Sequence, residues 1–383
     1  MEAYLLDWLT LLARWAHVVV GIAWIGASFY FIWLDNHLET SSDPQFAGEL
    51  YAIHGGGFYR AQKYRLAPGE LPKTLHWFKW EAYWTWLTGF ALLVLVYYAN
   101  AESFLIDPQV RPLSSAAAIG IGLGSLVLGL AVYEGLCRSP LKSSAAGLAL
   151  AILVFFALVA WALTQVFSGR GAFIHLGAIL GTIMAANVAH IIIPGQRELV
   201  RAKQEGRVPD TKYAIAGKQR SVHNTYFTLP VIFTMISNHH ANAFGHSWNW
   251  LVLIALALAG ALVRLWFVGR HKGPAPAWTL VAGLLLVGVV IVALVPRPQA
   301  NLQPIQAADV KRIVEQRCMN CHAEKPTLAG LAEAPKGVKL DTDERIRAQA
   351  SQIRETVRAR LMPPGNITGL TNEERALLER WNP

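Results

Sequence analysis

Long apolar runs alternate with short basic loops along most of this chain. Eight runs are long enough to span a bilayer as helices: Trp8–Leu34, Trp80–Tyr98, Ala116–Leu136, Ala145–Phe167, Ala172–Ile193, Val222–Asn238, Trp248–Val268 and Trp278–Val295. Trp8, Trp33, Trp80, Trp248, Trp266 and Trp278 fall near run ends, where interfacial aromatics collect. The weakest run is Val222–Asn238, which is polar at both ends and contains Pro230; alone it also fits a re-entrant segment. After Val295 the pattern changes. A short Pro-bearing stretch leads into amphipathic segments that predict helices over Pro304–Arg317 and Asp343–Leu361, the latter capped by Asp341 or Thr342. A third opens at Thr371, with Thr371 and Glu374 spaced as a capping box. The expected fold is all-α: an integral membrane domain over 1–296, a linker over 297–303 and a small helical domain over 304–383.

Composition supports this division. Of 383 residues 54% are hydrophobic and only 15% charged, against about 25% in soluble domains. The formal charge of +9 does not point to nucleic acid, because its excess lies in loops between apolar runs. One alternating set holds Arg60, Lys63, Arg65, Lys73 and Lys79, then Arg138 and Lys142, Arg197 to Arg220, and Arg270 with Lys272. The opposite set holds little beyond Arg111 and Arg170. The positive-inside rule makes the first set cytoplasmic and puts both termini outside, with lipid around the helices. The start, with Glu2 and Asp7 before a long run, lacks the basic-then-short-apolar form of a cleavable signal.

Cys318-Met319-Asn320-Cys321-His322 is the C-x-x-C-H pattern of c-type haem attachment. Two thiols bond the porphyrin vinyl groups, and the adjoining imidazole ligates the iron. Half of a zinc site is the alternative, but zinc needs four ligands and no further Cys or His lies between Asn301 and Pro383. Met362, in Leu361-Met362-Pro363-Pro364-Gly365, is expected as second axial ligand, since Met319 sits inside the attachment motif. The spacing and the closing helix look like a class I cytochrome c domain. Haem c is attached outside the bacterial cytoplasm, so an even number of spans is required. That favours Val222–Asn238 as a true crossing and places this domain in the periplasm, on a multi-pass protein of the inner membrane.

Ionisable groups at membrane depth are functional hypotheses. Glu81, Asn187, His190, His223, Asn224 and Arg264 form a layer toward the cytoplasm; Arg14, His17, His175, His239 and His240 form one toward the outside, about 20 Å away by helix rise. Arg14, His17, Gly21, Trp24 and Ser28 recur at three- and four-residue steps as one helix face, and Asn187 and His190 are expected to share another. Single histidines here also serve as hydrogen-bonded structural groups, and Arg or Glu side chains snorkel to the interface. His54-Gly55-Gly56-Gly57 reads either as close backbone approach to a ligand or as a flexible loop. Gly120 and Gly124, like Gly177 and Gly181, read as helix-packing positions.

The stretches Arg14–Gly26, His76–Tyr83, His223–Pro230 and Ile236–His240, with the C-terminal motif, resemble the bacterial membrane-bound urate hydroxylases (urate oxidases), eight-span domains fused to cytochrome c. The resemblance implies two-electron oxidation of urate, with water adding at C5 to give 5-hydroxyisourate. It further implies that electrons pass to the covalent haem c, and then to a soluble cytochrome c or a terminal oxidase. In this scheme His223, His190 or Glu81 acts as general base, while Asn187, Asn224 and Arg264 hold the anion. A b-type haem between His17 and His175, or another pair of these histidines, would bridge the two layers. The alternative is a cytochrome c electron-transfer subunit of a respiratory complex, with a quinol site among the spans.

Overall fold

The computed structural model describes residues 2–270, 276–295, 305–328, 331–358 and 360–383. The expected linker over 297–303 and the loop charge Lys272 lie outside the described residues. The chain is mostly helical. Among the described residues, five helices are long and apolar enough to cross a membrane: Tyr4–His37, Ser115–Arg138, Ala145–Thr164, Gly169–Gln204 and Asn249–Gly269. On Tyr4–His37 apolar side chains face outward; Val19 is 53% exposed and Ile22 66%. That disposition is compatible with membrane insertion. The other three expected stretches are helical too, but shorter or less apolar.

Contacts divide the chain into two compact units. The first comprises Met1–Leu92, Ala178–Ile232 and Leu256–Val287. Here α1 (Glu2–His37) packs on α2 (Trp80–Leu92). Gly21, Trp24 and Ser28 of the expected stripe are half-buried, and Trp24 packs against the Ala82, Val188 and Ile193 core, but Arg14 is exposed. Between α1 and α2 the all-α expectation fails. Strands β1 (Phe46–His54) and β2 (Gly57–Tyr64) pair as an antiparallel hairpin. Gly55 (φ 56°) and Gly56 (φ 81°) make its two-residue turn, which requires positive φ at both positions. The glycine run is therefore turn chemistry. Across the strands Arg60 Nη2 donates to Glu49 Oε2 at 2.6 Å.

The second unit comprises Leu93–Gly177, Phe233–Ala255 and Gly288–Pro383. It holds the short α3 (Ala101–Phe104), then α4 (Ser115–Arg138) and α5 (Ala145–Thr164), each capped at its N-terminus by a serine, Ser114 and Ser144. The close-packing glycines are not those expected at 120, 124 and 181. A Cβ on Gly122 would fall 2.7 Å from His175 Nε2, and Gly177 meets Thr234. Gly120, Gly124 and Gly181 have open space around them.

The same unit includes the C-terminal segment. Its core is Val310, Ile313, Val314, Leu340, Ile346, Ile353, Leu370, Leu378 and Trp381. The helices are Ala307–Arg317, the single turn Met319–His322, Asp343–Ala348, Ala350–Arg358 and Asn372–Arg380. The expected long second helix thus breaks at Gln349, which caps the first piece. Thr342 caps that piece at its N-terminus, and Thr371 with Glu374 forms the complete capping box.

Candidate functional site

The helix Gly169–Asn187 (α6) runs on through a π turn, Val188–Ile192, into α7 (Ile193–Gln204). The Val188 and Ile193 side chains flanking or ending that turn pack on Ala82, the neighbour of Glu81. Asn187 is buried at the start of the turn and donates from Nδ2 to Asn224 Oδ1 at 2.8 Å. Asn224, in α8 (Thr211–Ser237), donates in turn to the Met184 carbonyl at 3.0 Å. Asn187 and His190 do not share a face, because His190 is exposed. The wider π turn over Val188–Ile192 changes the angular spacing of the side chains along it. His223, one residue before Asn224, is half-buried, with its ring 6.2 Å from that of Phe227.

Arg264, in α10 (Asn249–Gly269), is 7% exposed. Its guanidinium lies 3.6 Å over the Phe29 ring, within electrostatic reach of Tyr226. Arg264 Nε and Nη2 and Glu81 Oε2 are buried without a hydrogen-bond partner. Buried charged groups are seldom left so, because the unmet desolvation is costly. Phe29 and Tyr226 were not legible as site residues, since aromatic positions are common on apolar helices. α10 reaches this place closely because Gly260 lies beside Pro230 of α8.

Two of the outer histidines are engaged by neighbouring groups. His17 Nδ1 lies 3.0 Å from Thr88 Oγ1. That hydroxyl donates to the Trp84 carbonyl at 2.7 Å, so His17 is the donor of the pair. His175 is fully buried in the second unit, with Nδ1 donating to the Gly171 carbonyl at 2.8 Å and Nε2 3.1 Å from the Tyr98 hydroxyl. Both its ring nitrogens are engaged, and a b-type haem on His175 would have to displace Tyr98. His239 and His240 are exposed.

In the C-terminal segment Cys318, Cys321 and His322 lie around one helical turn, closed by His322 N–H donating to the Cys318 carbonyl at 2.9 Å. His322 Nδ1 lies 3.0 Å from the Val338 carbonyl. A carbonyl only accepts, so Nδ1 carries the proton and Nε2 keeps the lone pair an iron needs. Burial pushes the Cys318 thiol up to about 12 and raises Cys321 less. Met362 is half-buried, and its carbonyl accepts from Arg375 Nη1 at 3.2 Å. Among the described residues no three His, Cys, Asp or Glu side chains gather to hold a metal ion. The paired thiols, the oriented imidazole and a Met on a proline loop fit a covalently held haem.

Arg375 is the residue the sequence hid. It sits in a charged amphipathic helix, yet is 6% exposed. Burial holds its pKa down at about 10, so it stays cationic at neutral pH.

Residues 3–295 match the Urate oxidase N-terminal family. The chain belongs to that family. No curated protein and no solved structure matches it. Membership of the urate oxidase N-terminal family covers the hairpin and every long apolar helix, and suggests an oxidoreductase with a urate-related function; the match ends before the C-x-x-C-H turn.

Proposed function

We propose that the protein is a membrane-bound oxidoreductase that converts urate to 5-hydroxyisourate, and that its C-terminal segment is a cytochrome c domain. The observation that carries this reading is the joining, in one chain, of a urate oxidase N-terminal region to a C-x-x-C-H turn whose imidazole is oriented by Val338. On this reading all eight apolar stretches cross the bacterial inner membrane and the cytochrome domain is periplasmic.

The reaction adds water at C5 of urate; two protons and two electrons leave. Urate is a planar anion at neutral pH. The Arg264 donors left unpartnered beside Phe29 suit its oxygens and its ring face. On this reading Glu81 or His223 takes a proton from the attacking water. The Asn187–Asn224 bond fixes the helix faces that carry His223 and Asn187. Cys318, Cys321, His322 and Met362 would hold the haem, which when bound supplies a one-electron acceptor. The external acceptor on this reading is a soluble cytochrome c or a terminal oxidase.

The test is anaerobic addition of urate to the oxidised, purified protein, read as reduction of c-type haem absorbance. Reduction, with 5-hydroxyisourate formed, is expected. Reduction by a quinol and not by urate would make the chain a respiratory electron-transfer subunit instead.

A further inference from the structure

A cleft open to solvent lies within the second unit beside the Met362 loop. Three guanidinium groups line it, from Arg170, Arg360 and Arg375, against the single carboxylate of Asp107. The Arg170 guanidinium stands 5.3 Å from the ring centroids of both Phe104 and Phe244, which also line it. The cleft therefore offers positive charge and flat apolar walls together.

Two further observations point to a ligand. Arg375 is 6% exposed, and its Nε is buried with no hydrogen-bond partner while Nη1 is tied to the Val357 and Met362 carbonyls. Leaving a buried charged donor unmet is costly, and an anion that reached Arg375 from the cleft would remove that cost. Arg360 holds φ at +49°, which is strained for a side chain that is not glycine. Its side chain lies over Gly245, where a Cβ would come within 3.0 Å of Arg360 Cδ. The far wall is equally close-fitting, because Gly365 lies against the backbone of Glu102 and Ser103 and leaves no room for a Cβ.

We propose that this cleft is a binding site for a small planar organic anion of the urate class, separate from the Arg264 cluster and adjoining the loop that carries Met362. The choice of urate rests on the function proposed above. The Arg375 bond to Met362 links occupancy of the cleft to the position of that loop.

The experiment is equilibrium dialysis of urate with the full-length, haem-containing protein in detergent. Dithionite under anaerobic conditions keeps the protein reduced, so bound urate is not consumed. Arg170→Gln, Arg360→Gln and Arg264→Gln variants are compared with wild type, and the haem midpoint potential is measured for each. The cleft predicts one class of bound urate weakened at least tenfold in Arg170→Gln and in Arg360→Gln, and retained in Arg264→Gln. Binding curves identical to wild type in both cleft variants overturn it. So does a shifted midpoint with unaltered urate binding, which would assign these arginines to the porphyrin carboxylates. Arg170 is remote in sequence from the Met362 loop, so its variant stays informative should Arg360→Gln disturb that loop. Urate bound by wild type and lost only in Arg264→Gln removes the cleft alone. Wild type that neither binds urate nor is reduced by it removes the substrate reading and the cleft with it.

Discussion

Asn187 donates from its side-chain amide to the side-chain oxygen of Asn224 at 2.8 Å, deep between two helices. Removing either partner leaves a buried polar group unmet. Asn224→Ala is expected to cost about 1–3 kcal/mol of stability and to abolish reduction of the haem by urate while dithionite reduction persists. Urate kinetics matching wild type would remove this pair from the site.

Among the described residues no carboxylate meets the buried Arg264 Nε and Nη2, so these donors are open to an anion. Arg264→Lys keeps the charge but loses the planar fork. Its KM for urate should rise at least tenfold with little change in the haem spectrum. An unaltered KM would place urate elsewhere.

The Cys318 thiol is held up at about 12 by burial, and Cys321 is raised less. The thiolate is the reacting form. In haem-free protein at pH 8, mass spectrometry after brief iodoacetamide treatment should find Cys321 alkylated well before Cys318. The Cys318 rate should keep climbing as pH rises toward 12, beyond the range where an ordinary thiol levels off. Equal rates at the two cysteines would contradict the burial difference.

Gly56, at φ 81°, turns the hairpin and meets nothing that a Cβ would strike. Gly56→Ala should cost about 1–2 kcal/mol through its backbone alone, read as faster hydrogen exchange across β1 and β2. Urate-driven reduction should be unchanged. Loss of that activity in a folded variant would restore the glycines as a ligand contact.

Thr371 closes the capping box with Glu374, whose carboxylate also takes Arg317 at 3.0 and 3.1 Å. Thr371→Ala should weaken helix Asn372–Arg380 by about 1 kcal/mol. Hydrogen exchange of its first-turn amides reports this. Glu374→Ala, which loses the box and the Arg317 bond together, should open the helix further.

Local spacing made much of this protein readable from its residues alone. The apolar runs, the caps at Thr342 and Thr371, and the C-x-x-C-H turn each depend on residues within one or two turns of one another. Helix geometry brings such residues together whatever surrounds them. The hairpin was not expected, because β1 and β2 carry charged residues without a clean apolar alternation and lie between strongly apolar helices.

What only the tertiary structure decided was which of the polar groups meet. The π turn at Val188–Ile192 leaves Asn187 buried and His190 exposed although the two stand three positions apart. Tyr98 takes up His175 from across a sequence gap of 77 residues. Arg375, one charge among many in its helix, is singled out by burial against Val357 and Met362. Each outcome rests on packing between segments far apart in the chain, and burial, not residue type, sets whether a charge is solvated surface or an unmet donor awaiting a ligand.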